Sequence, residues 1–346
     1  MSGAGHAETS PLARAMLAEA LAWRGQSADA VALARAVLND CEPDSEAGQL
    51  ARRVLTTDVA DYHWEMLNDR PRNRAYDAAL RRAVQPGDRV LEIGSGAGLV
   101  AMMAARAGAA EVISCEMAPG MAAIAAENVA ANGLSERVRI VAKRSSDLAI
   151  GRDLPGLADL LVSELIHHDL VGDGMLDAHR DAIPRLLRPG GAVLPRYVSV
   201  MVAFAQAPPL RFPVSTVEGV DLSAVERLRP PTLCLDPGSP GIALRSEPGT
   251  LFRFDMAQPE RWPAPRGAMT IQGADGVANA IVQWVRIEMD DSGAPDSVYE
   301  NRPEPGRRSH WGVNLTHLAK PLDLSAGRAY QIQGRYGANR LLVWPF

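Results

Sequence analysis

Cysteine is scarce in this chain of 346 residues, which contains only Cys41, Cys115 and Cys234. An odd number of cysteines at wide spacing indicates neither a disulfide framework nor a zinc site, so we expect a reducing, cytoplasmic compartment and no metal. Long apolar runs are missing as well, since none reaches the roughly 20 residues of a membrane-spanning helix. Residues 1–10 lack the basic and apolar regions of a signal peptide. The sequence therefore predicts no membrane association and no secretion.

Lysine is almost absent too. Among the 36 lysines and arginines, only Lys143 and Lys320 are lysine, and this arginine-rich, alanine-rich composition is typical of a bacterial protein from a GC-rich genome. The formal net charge is -5. The chain therefore lacks the net positive charge that is typical of nucleic-acid-binding proteins, and its charge is compatible with a cationic ligand. With 47% hydrophobic residues, the chain is long enough to bury the cores of two domains.

The first 57 residues are expected to form an N-terminal helical segment. Between Pro11 and Leu55, apolar residues recur close to the helical period. Ser27 is predicted to cap the second helix, and Asp44 or Ser45 the third. The segment from Ala18 to Pro43 resembles one tetratricopeptide-type helical hairpin, and a single repeat is too short for a solenoid. We expect either an added helical layer on the main domain or on a partner subunit, or a surface that recruits a peptide partner.

Residues 58–195 alternate between helical and strand patterns. A polar helical region, interrupted at Pro71, is followed by strands expected at 89–93, 111–115, 138–142 and 158–163, with helices between them. A further helix is expected over 177–187, with Arg188-Pro-Gly-Gly191 as its end signal. This alternation predicts an α/β domain with a parallel, doubly wound sheet.

The composition changes near Pro195, because 17 of the 25 prolines lie from that residue onward. Short alternating strands are expected at 198–205, 250–256, 280–289, 330–336 and 341–344, which predicts a β-barrel or sandwich over 196–346. Residues 211–248 are rich in proline and not strand-like. A loop of that length either has a function or is disordered.

Two acids, Glu164 and Asp173, follow the apolar run 157–162. Ligands of open α/β sheets bind at the carboxyl ends of the strands, and two converging carboxylates form a socket for a planar cation. Without further context, acids flanked by glycine are more often a solvated loop. His167 and Asp169 form a His-x-Asp pair, which is typical of iron sites only in a different fold, so we predict no metal there.

A glycine-rich run, Val90-Leu-Glu-Ile-Gly-Ser-Gly-Ala-Gly98, lies between a predicted strand and a predicted helix, and Glu116 ends the next strand. In this context glycines let the backbone approach a nucleotide-type cofactor, and the acid accepts hydrogen bonds from its ribose. The spacing Gly-x-Gly-x-Gly resembles motif I of methyltransferases that depend on S-adenosylmethionine (SAM). It favours that cofactor over a nicotinamide or a purely structural turn.

From about residue 58 to 346 the chain resembles the protein arginine methyltransferases. Met66-Leu-Asn-Asp-Arg-Pro-Arg72 is similar to the family helix that folds over the cofactor, and Ser309-His-Trp311 to its Thr-His-Trp loop. Val220-Asp-Leu-Ser-Ala-Val225 is similar to part of its dimerisation arm. The acid pair is similar to its double-Glu loop, and Met102-Met103 and Ala142-Lys-Arg-Ser-Ser-Asp147 favour the monomethylating subgroup.

The resemblance implies a fold, a domain order and an assembly. The expected fold is α/β, with a Rossmann-like SAM-dependent methyltransferase domain over 58–195 and a β-barrel domain over 196–346. A dimerisation arm is expected at about 211–248, and with it a homodimer. The helical hairpin within residues 1–57 precedes these domains.

The resemblance also assigns site residues. It implies that Arg72 binds the methionine carboxylate of SAM and that Ser145 and Ser146 lie at its adenine, although Ser146 replaces the usual acid. The full set of expected cofactor residues is His63, Met66, Arg72, Gly94, Gly96, Gly98, Glu116, Ser145 and Ser146.

The expected catalytic residues are Glu164, Asp173, His310, Asp69 and Trp311. Glu164 matches the first Glu of the family loop, whereas Asp173 stands one methylene shorter than the second and is expected to restrict the product to monomethylarginine. Asp69 is expected to pair with His310 and to relay or release the proton of the substrate guanidinium. Trp311 is expected to wall the pocket, where an aromatic ring adds a cation–π contact.

Three functions remain open from sequence. The first is methylation of arginine in a protein or peptide. The second is the same chemistry on free L-arginine as a biosynthetic step. The third is a SAM-binding module without catalysis, which the presence of Glu164, Asp69 and His310 argues against.

Overall fold

A computed structural model of the chain describes residues 10–57, 59–172, 174–209, 213–338 and 340–346. The chain divides into two compact units. The first unit takes the residues up to Trp64 together with Gln85–Leu157, and the second takes Glu65–Val84 together with Ala158–Phe346. The expected division at residues 57 and 195 stays a prediction.

The helices in the described ranges are α1 Pro11–Trp23, α2 Ser27–Asn39, α3 Glu46–Thr56, α4 Tyr62–Asn68, α5 Arg70–Ala83, α6 Leu99–Ala107, α7 Pro119–Ala131 and α8 Met175–Leu186. The first strands are β1 Arg89–Ile93, β2 Glu111–Cys115, β3 Val138–Val141, β4 Ala158–Ser163 and β5 Leu187–Leu194. They are followed by β6 Tyr197–Gln206, β7 Thr216–Val217, β8 Val220–Asp221, β9 Thr232–Leu235, β10 Ala243–Leu244, β11 Gly249–Asp255, β12 Arg266–Gln272, β13 Gly276–Glu288, β14 Val298–Glu300, β15 Val313–Leu324, β16 Ala329–Tyr336 and β17 Leu341–Pro345.

In the first unit, α1, α2 and α3 pack through small side chains, among them Ala18, Ala34 and Ala51. Small residues at these positions let the helix backbones approach closely. Helix α2 also packs against α7, where Arg35 pairs with Glu127. This packing supports the interpretation of the N-terminal helices as an added layer.

The helix caps were only partly predicted. Ser45 caps α3 by accepting the amide N–H of Gly48 at 3.2 Å, as expected. Ser27 is wrong as a cap, because it lies inside α2, which begins after Gln26 without a side-chain cap.

Strands β1, β2 and β3 of the first unit are parallel and pair in the order β3-β2-β1. In the second unit, β4 and β5 are a further parallel pair. The helix expected to end before Arg188-Pro-Gly-Gly191 is α8, which ends at Leu186, within one residue of the prediction. The run itself lies inside β5, where glycine and proline are tolerated because this part of the strand is exposed.

The remainder of the second unit is antiparallel. One sheet has the strand order β10-β6-β13-β15-β9, with β11 paired to β6 and β14 paired to β13. A second sheet has the order β12-β16-β17, and β7 and β8 form a hairpin. Buried Trp284 and Phe204 are among the largest core side chains. Residues 213–248, expected to lack strands, in fact contain four short ones, β7 to β10.

Pro71 does not interrupt a helix, contrary to expectation. Helix α4 ends at Asn68, and Asp69 is the N-cap of α5 with Pro71 in its first turn. Proline is favoured there because the first helical N–H groups have no intrahelical partner. The break therefore falls at Asp69, two residues earlier than predicted.

Candidate active site

The glycine-rich loop joins β1 to α6 in the first unit. Gly96 and Gly98 have φ values of 49° and 84°, a left-handed backbone that favours glycine. Gly98 is also the N-cap of α6. The Gly94 amide N–H donates to the Cys115 carbonyl at 3.0 Å, which fastens the start of the loop to the end of β2.

Glu116 directly follows β2 and holds the same loop. Its Oε2 accepts the Gly96 amide N–H at 3.0 Å and its Oε1 accepts the Ala118 amide N–H at 2.9 Å. The carboxylate is thus fixed beside the glycine loop at the carboxyl end of a parallel strand, where open α/β sheets bind their ligands.

The other predicted cofactor residues of the first unit lie on two further segments. Ser145 and Ser146 begin a short 3-10 turn that follows β3 and ends at Asp147, so an acid stands one residue after the position where the family carries it. The half-buried His63 lies on α4 with its ring centroid 4.6 Å from that of Tyr62.

The described part of each unit has a buried polar atom, at a predicted site residue or beside one, that lacks a hydrogen-bond partner. Within the described ranges, Ser95 Oγ in the glycine loop and Arg72 Nε have no hydrogen-bond partner. A buried polar atom without a partner costs free energy, so both are suited to receive a ligand. Arg72 and the buried Met66 lie in the second unit.

Arg72 is held in the first turn of α5. Its guanidinium pairs with the Glu164 carboxylate at 2.6 Å, and the two side chains are only 3% and 7% exposed. The ring of Tyr76 lies 5.2 Å from the guanidinium carbon, and Arg72 Nη1 donates to Asn73 Oδ1 at 2.7 Å. Burial alone lowers the pKa of Arg72, but the Glu164 carboxylate outweighs it and raises the pKa above its usual value. Arg72 therefore stays charged.

Glu164 directly follows β4 and begins the segment that leads to α8, here called the acidic loop. Tyr76 Oη donates to the carbonyl of Ser163 at 3.0 Å, which fixes the residue before the acid. Ser163 Oγ also lies 2.7 Å from His179 Nε2. Burial lowers the pKa of His179 to about 4, so this histidine is a neutral core residue.

The middle of the acidic loop is a tight turn. Asp169 Oδ1 accepts the amide N–H of Gly172 at 2.9 Å and lies 2.8 Å from His167 Nδ1. Burial, and then neighbouring His167, lower the pKa of His168 to about 4. These three side chains therefore shape the loop. The predicted second acid, Asp173, lies outside the described residues.

Asp69 is the centre of a buried hydrogen-bond network. Its Oδ1 caps α5 by accepting the Arg72 amide N–H at 3.1 Å. Its Oδ2 lies 3.0 Å from His310 Nδ1 and accepts the His310 amide N–H at 3.2 Å. The hydroxyl of Tyr299 donates to the same oxygen.

The charge state of Asp69 follows from these bonds. Burial raises the pKa of the carboxyl, but the hydrogen bonds from His310, Tyr299 and two backbone amides outweigh it and hold the pKa below its usual value. Because an ionised carboxylate only accepts hydrogen bonds, His310 Nδ1 must donate to it. A neutral His310 therefore keeps its lone pair on Nε2.

Trp311 is buried beside this network. Its indole N–H donates to the carbonyl of Ile166 in the acidic loop, and its ring centroid lies 4.1 Å from that of His310. The buried Asn301 donates to the carbonyls of Trp311 and Gly312 at 3.0 and 2.9 Å. The loop that carries His310 is thus held by hydrogen bonds to Ile166 and to Asn301.

The second unit therefore brings Asp69, Arg72, Glu164, His310 and Trp311 into one connected network. Tyr76, Tyr299 and Asn301 belong to it and were not predicted. A tyrosine or asparagine in an amphipathic element has no sequence signal that separates packing from hydrogen bonding to a site. In the described part of the chain, no group of three or more His, Cys, Asp or Glu residues could hold a metal ion.

The chain is similar to known methyltransferases. A family model described as a methyltransferase domain matches residues 90–191. An arginine N(omega)-methyltransferase of Streptomyces achromogenes subsp. streptozoticus is 35% identical over 299 residues, which are 84% of this chain and 79% of that protein. Protein arginine N-methyltransferase 7 of Drosophila ananassae is 29% identical over 326 residues, 80% of this chain and 47% of that protein. The chain thus spans about half the length of the insect relative.

A solved structure has the same fold. The PRMT1 enzyme–prozyme heterotetrameric complex of Trypanosoma brucei with AdoHcy matches with a TM-score of 0.70 and 19% identity, over 84% of this chain and 98% of that one. This likeness confirms the predicted Rossmann-like α/β domain followed by an antiparallel β domain. None of the helices in the described ranges is long and apolar enough to cross a membrane.

Proposed function

This chain belongs to the family of SAM-dependent arginine N-methyltransferases, and we propose that it transfers a single methyl group to a guanidino nitrogen of arginine. The observation that carries the assignment of the site is the buried Glu164 carboxylate, which follows β4 and is paired with Arg72. The Asp69–His310 pair in the same unit supports it.

Glu164 is suited to hold a guanidinium. Its Oε2 pairs with Arg72. A carboxylate offers about four acceptor positions on its two oxygens, so Glu164 can also accept an N–H of the substrate guanidinium, which is planar and stays protonated at neutral pH. A carboxylate bound to one nitrogen of the guanidinium draws positive charge toward that nitrogen and orients the other two nitrogens. Asp173, as predicted from the sequence, would supply the second carboxylate.

SAM supplies an electrophilic methyl group on a sulfonium when it is bound. In the first unit, Glu116 would accept hydrogen bonds from its ribose hydroxyls, and the loop of Gly94, Gly96 and Gly98 would let it approach the backbone. The remaining assignments, Arg72 to its carboxylate and His63, Met66, Ser145 and Ser146, rest on the family resemblance.

The substrate guanidinium must lose a proton when its nitrogen is methylated. The lone pair of His310 Nε2 is available to accept this proton, because His310 Nδ1 donates to Asp69. Asp69 fixes this tautomer and stabilises the imidazolium that forms. Trp311 would wall the substrate pocket, and its ring attracts a cation.

The cofactor assignment makes a prediction for Glu116. We expect Glu116→Ala to weaken SAM binding about 10- to 100-fold, because hydrogen bonds to a charged group contribute about 1.5–3 kcal/mol. Isothermal titration with SAM measures this directly. Glu136→Ala, which removes an exposed acid of the same unit, is the control. Equal affinities for the two variants would contradict the role of Glu116.

Free L-arginine is a second candidate acceptor, beside arginine in a protein or peptide. It is favoured by one comparison: the chain spans 79% of the streptomycete relative, which is named for arginine, against 47% of the insect relative, which is named for protein arginine. The same catalytic groups serve both acceptors.

The proposal is tested by mass spectrometry after incubation with labelled SAM. Free L-arginine and an arginine-rich peptide are offered separately and together. We expect a mass gain of one methyl on the guanidino group of one acceptor, with monomethylarginine as the end product. Dimethylarginine would refute the single transfer. No methylation of either acceptor would refute the enzymatic assignment and leave a SAM-binding module.

We further propose that the chain forms a homodimer through the arm that contains β7 and β8. Apolar side chains on and after this hairpin are exposed, including Val220 at 58% and Leu228 at 82%. Because large exposed apolar patches typically mark protein interfaces, we place the interface on this arm.

A charge placed in the arm should separate the protomers. We expect the wild-type protein to have about twice its chain mass of 37.0 kDa in light scattering after gel filtration, and Leu228→Glu to have the chain mass, because a buried charge is strongly unfavourable. Leu342→Glu is the matched control, since Leu342 is 51% exposed on β17 outside the arm. A dimer that survives Leu228→Glu would argue against this interface.

The cytoplasm is the proposed compartment. All three cysteines are free thiols, which is typical of a reducing environment.

A further inference from the structure

We propose that Tyr299 is a positioning residue for methyl transfer, whose hydroxyl holds the Asp69–His310 pair in its working arrangement. This inference rests on the proposed function. Nothing in the motifs that identify the family points to Tyr299, which lies in the middle of the short strand β14.

The Tyr299 hydroxyl lies between two polar partners. It donates to Asp69 Oδ2, and its oxygen lies 2.8 Å from Ser309 Oγ. A phenol has one proton, and an ionised carboxylate can only accept. The Tyr299 proton is therefore on the Asp69 side, and Ser309 donates to the Tyr299 oxygen.

Ser309 extends this chain of hydrogen bonds to the catalytic loop. The amide N–H of Trp311 donates to Ser309 Oγ at 3.0 Å. The bonds therefore run in one direction, from Trp311 through Ser309 and Tyr299 to Asp69. Each donor strengthens the next, as expected for a buried chain.

The Asp69 carboxylate accepts four hydrogen bonds. Oδ2 receives the hydroxyl of Tyr299 and two N–H groups of His310, and Oδ1 receives the Arg72 amide. Three of the four converge on Oδ2, so the Tyr299 hydroxyl stabilises the negative charge of the oxygen that holds His310. Rotation of the carboxylate away from His310 would break the Tyr299 bond as well.

Tyr299 itself does not exchange protons. Burial raises the pKa of its phenol, and the hydrogen bond to Asp69 raises it further, so it stays protonated and remains a donor. The charged and titratable groups that surround Asp69 are His310 and Tyr299 from the β domain and Arg72 from α5. Tyr299 therefore acts through Asp69 and not on the substrate.

The hydroxyl and the ring of Tyr299 can be separated by mutation. The ring is 6% exposed and packs edge-on against Trp311, with centroids 5.3 Å apart and planes at 70°. Phenylalanine keeps this packing and removes only the donor. Tyr336 offers a matched control, because it is also buried in the second unit and its hydroxyl donates to the Pro263 carbonyl, away from the site.

The experiment compares Tyr299→Phe with Tyr336→Phe in steady-state kinetics over a range of pH. We expect Tyr299→Phe to lower kcat about tenfold, the usual effect of losing one hydrogen bond to a charged group, with KM for SAM within about twofold of the wild type. Loss of the Tyr299 hydroxyl removes a donor to Asp69 and so raises the pKa of Asp69. The fall of kcat on the acid side of its pH profile, the acid limb, should therefore begin at a higher pH. Tyr336→Phe should leave kcat and its pH profile unchanged.

A second variant, Ser309→Ala, tests the direction of the chain. It should lower kcat by less than Tyr299→Phe, since Asp69 keeps its donor. If kcat and the acid limb of Tyr299→Phe coincide with those of Tyr336→Phe, the inference is wrong even though the enzyme is active. If the wild-type protein methylates neither acceptor, the proposed function fails first and this inference with it.

Discussion

Glu164→Gln is expected to lower the rate of arginine methylation by about 100- to 1,000-fold. Glutamine keeps the size of the side chain and one carbonyl acceptor but removes the charge. A single preorganised charged group at a reacting centre typically contributes a factor of this size. The measurement is kcat with saturating SAM and either acceptor, and SAM affinity is measured in parallel to separate binding from chemistry.

The same substitution is also expected to destabilise the protein by about 3 kcal/mol, because it leaves the buried Arg72 without its carboxylate. Urea unfolding followed by circular dichroism measures this. Asp181→Asn is the control, since the Arg185–Asp181 pair on α8 is more than one third exposed and its loss should cost less than about 1 kcal/mol. A Glu164→Gln protein with full activity would show that Glu164 does not hold the substrate.

Asp69→Asn is expected to lower kcat about a hundredfold or more, with little change in KM for SAM. An amide cannot stabilise an imidazolium as a carboxylate does, and its NH₂ group opposes the donors of His310 and Tyr299. Ser45→Ala provides the control for the loss of a helix cap, because Ser45 caps α3 in the other unit. That variant should lose about 1 kcal/mol of stability and no activity.

The pH dependence of stability should report the same carboxylate. The pKa of Asp69 is depressed in the folded protein, so its contribution is fully present above the unfolded pKa of about 3.9 and is lost as the pH falls through the lower folded pKa. The stability difference between the wild type and Asp69→Asn should therefore be constant near neutrality and shrink below about pH 4. A difference that does not depend on pH would indicate that Asp69 is not ionised in the fold.

The sequence predicted the parallel strands best. Strands β1, β2 and β4 begin and end at the expected residues, because buried parallel strands are continuous apolar runs bounded by turn residues. Strands β12 and β15 were not predicted. Half-exposed antiparallel strands such as these carry polar and small side chains, and Pro321 inside β15 argues against a strand.

The candidate site divides in a similar way. Glu164 and the glycine loop have local signals, since each directly follows a strand, and the partnership of Asp69 with His310 could be inferred from the family resemblance. Tyr299 could not, because its partner Asp69 lies 230 residues away in the chain and a buried tyrosine is usually a packing residue. Its contribution depends on a hydrogen bond that only the folded chain creates.

Asp69 uses its two carboxylate oxygens for two different elements. Oδ1 caps helix α5 by accepting the Arg72 amide N–H, and Oδ2 binds His310. Both bonds depend on one carboxylate, so a rotation of that carboxylate breaks them together. The Arg72 amide proton is therefore a built-in reporter: its rate of hydrogen exchange measures, in the resting protein, how often the proton-accepting arrangement opens.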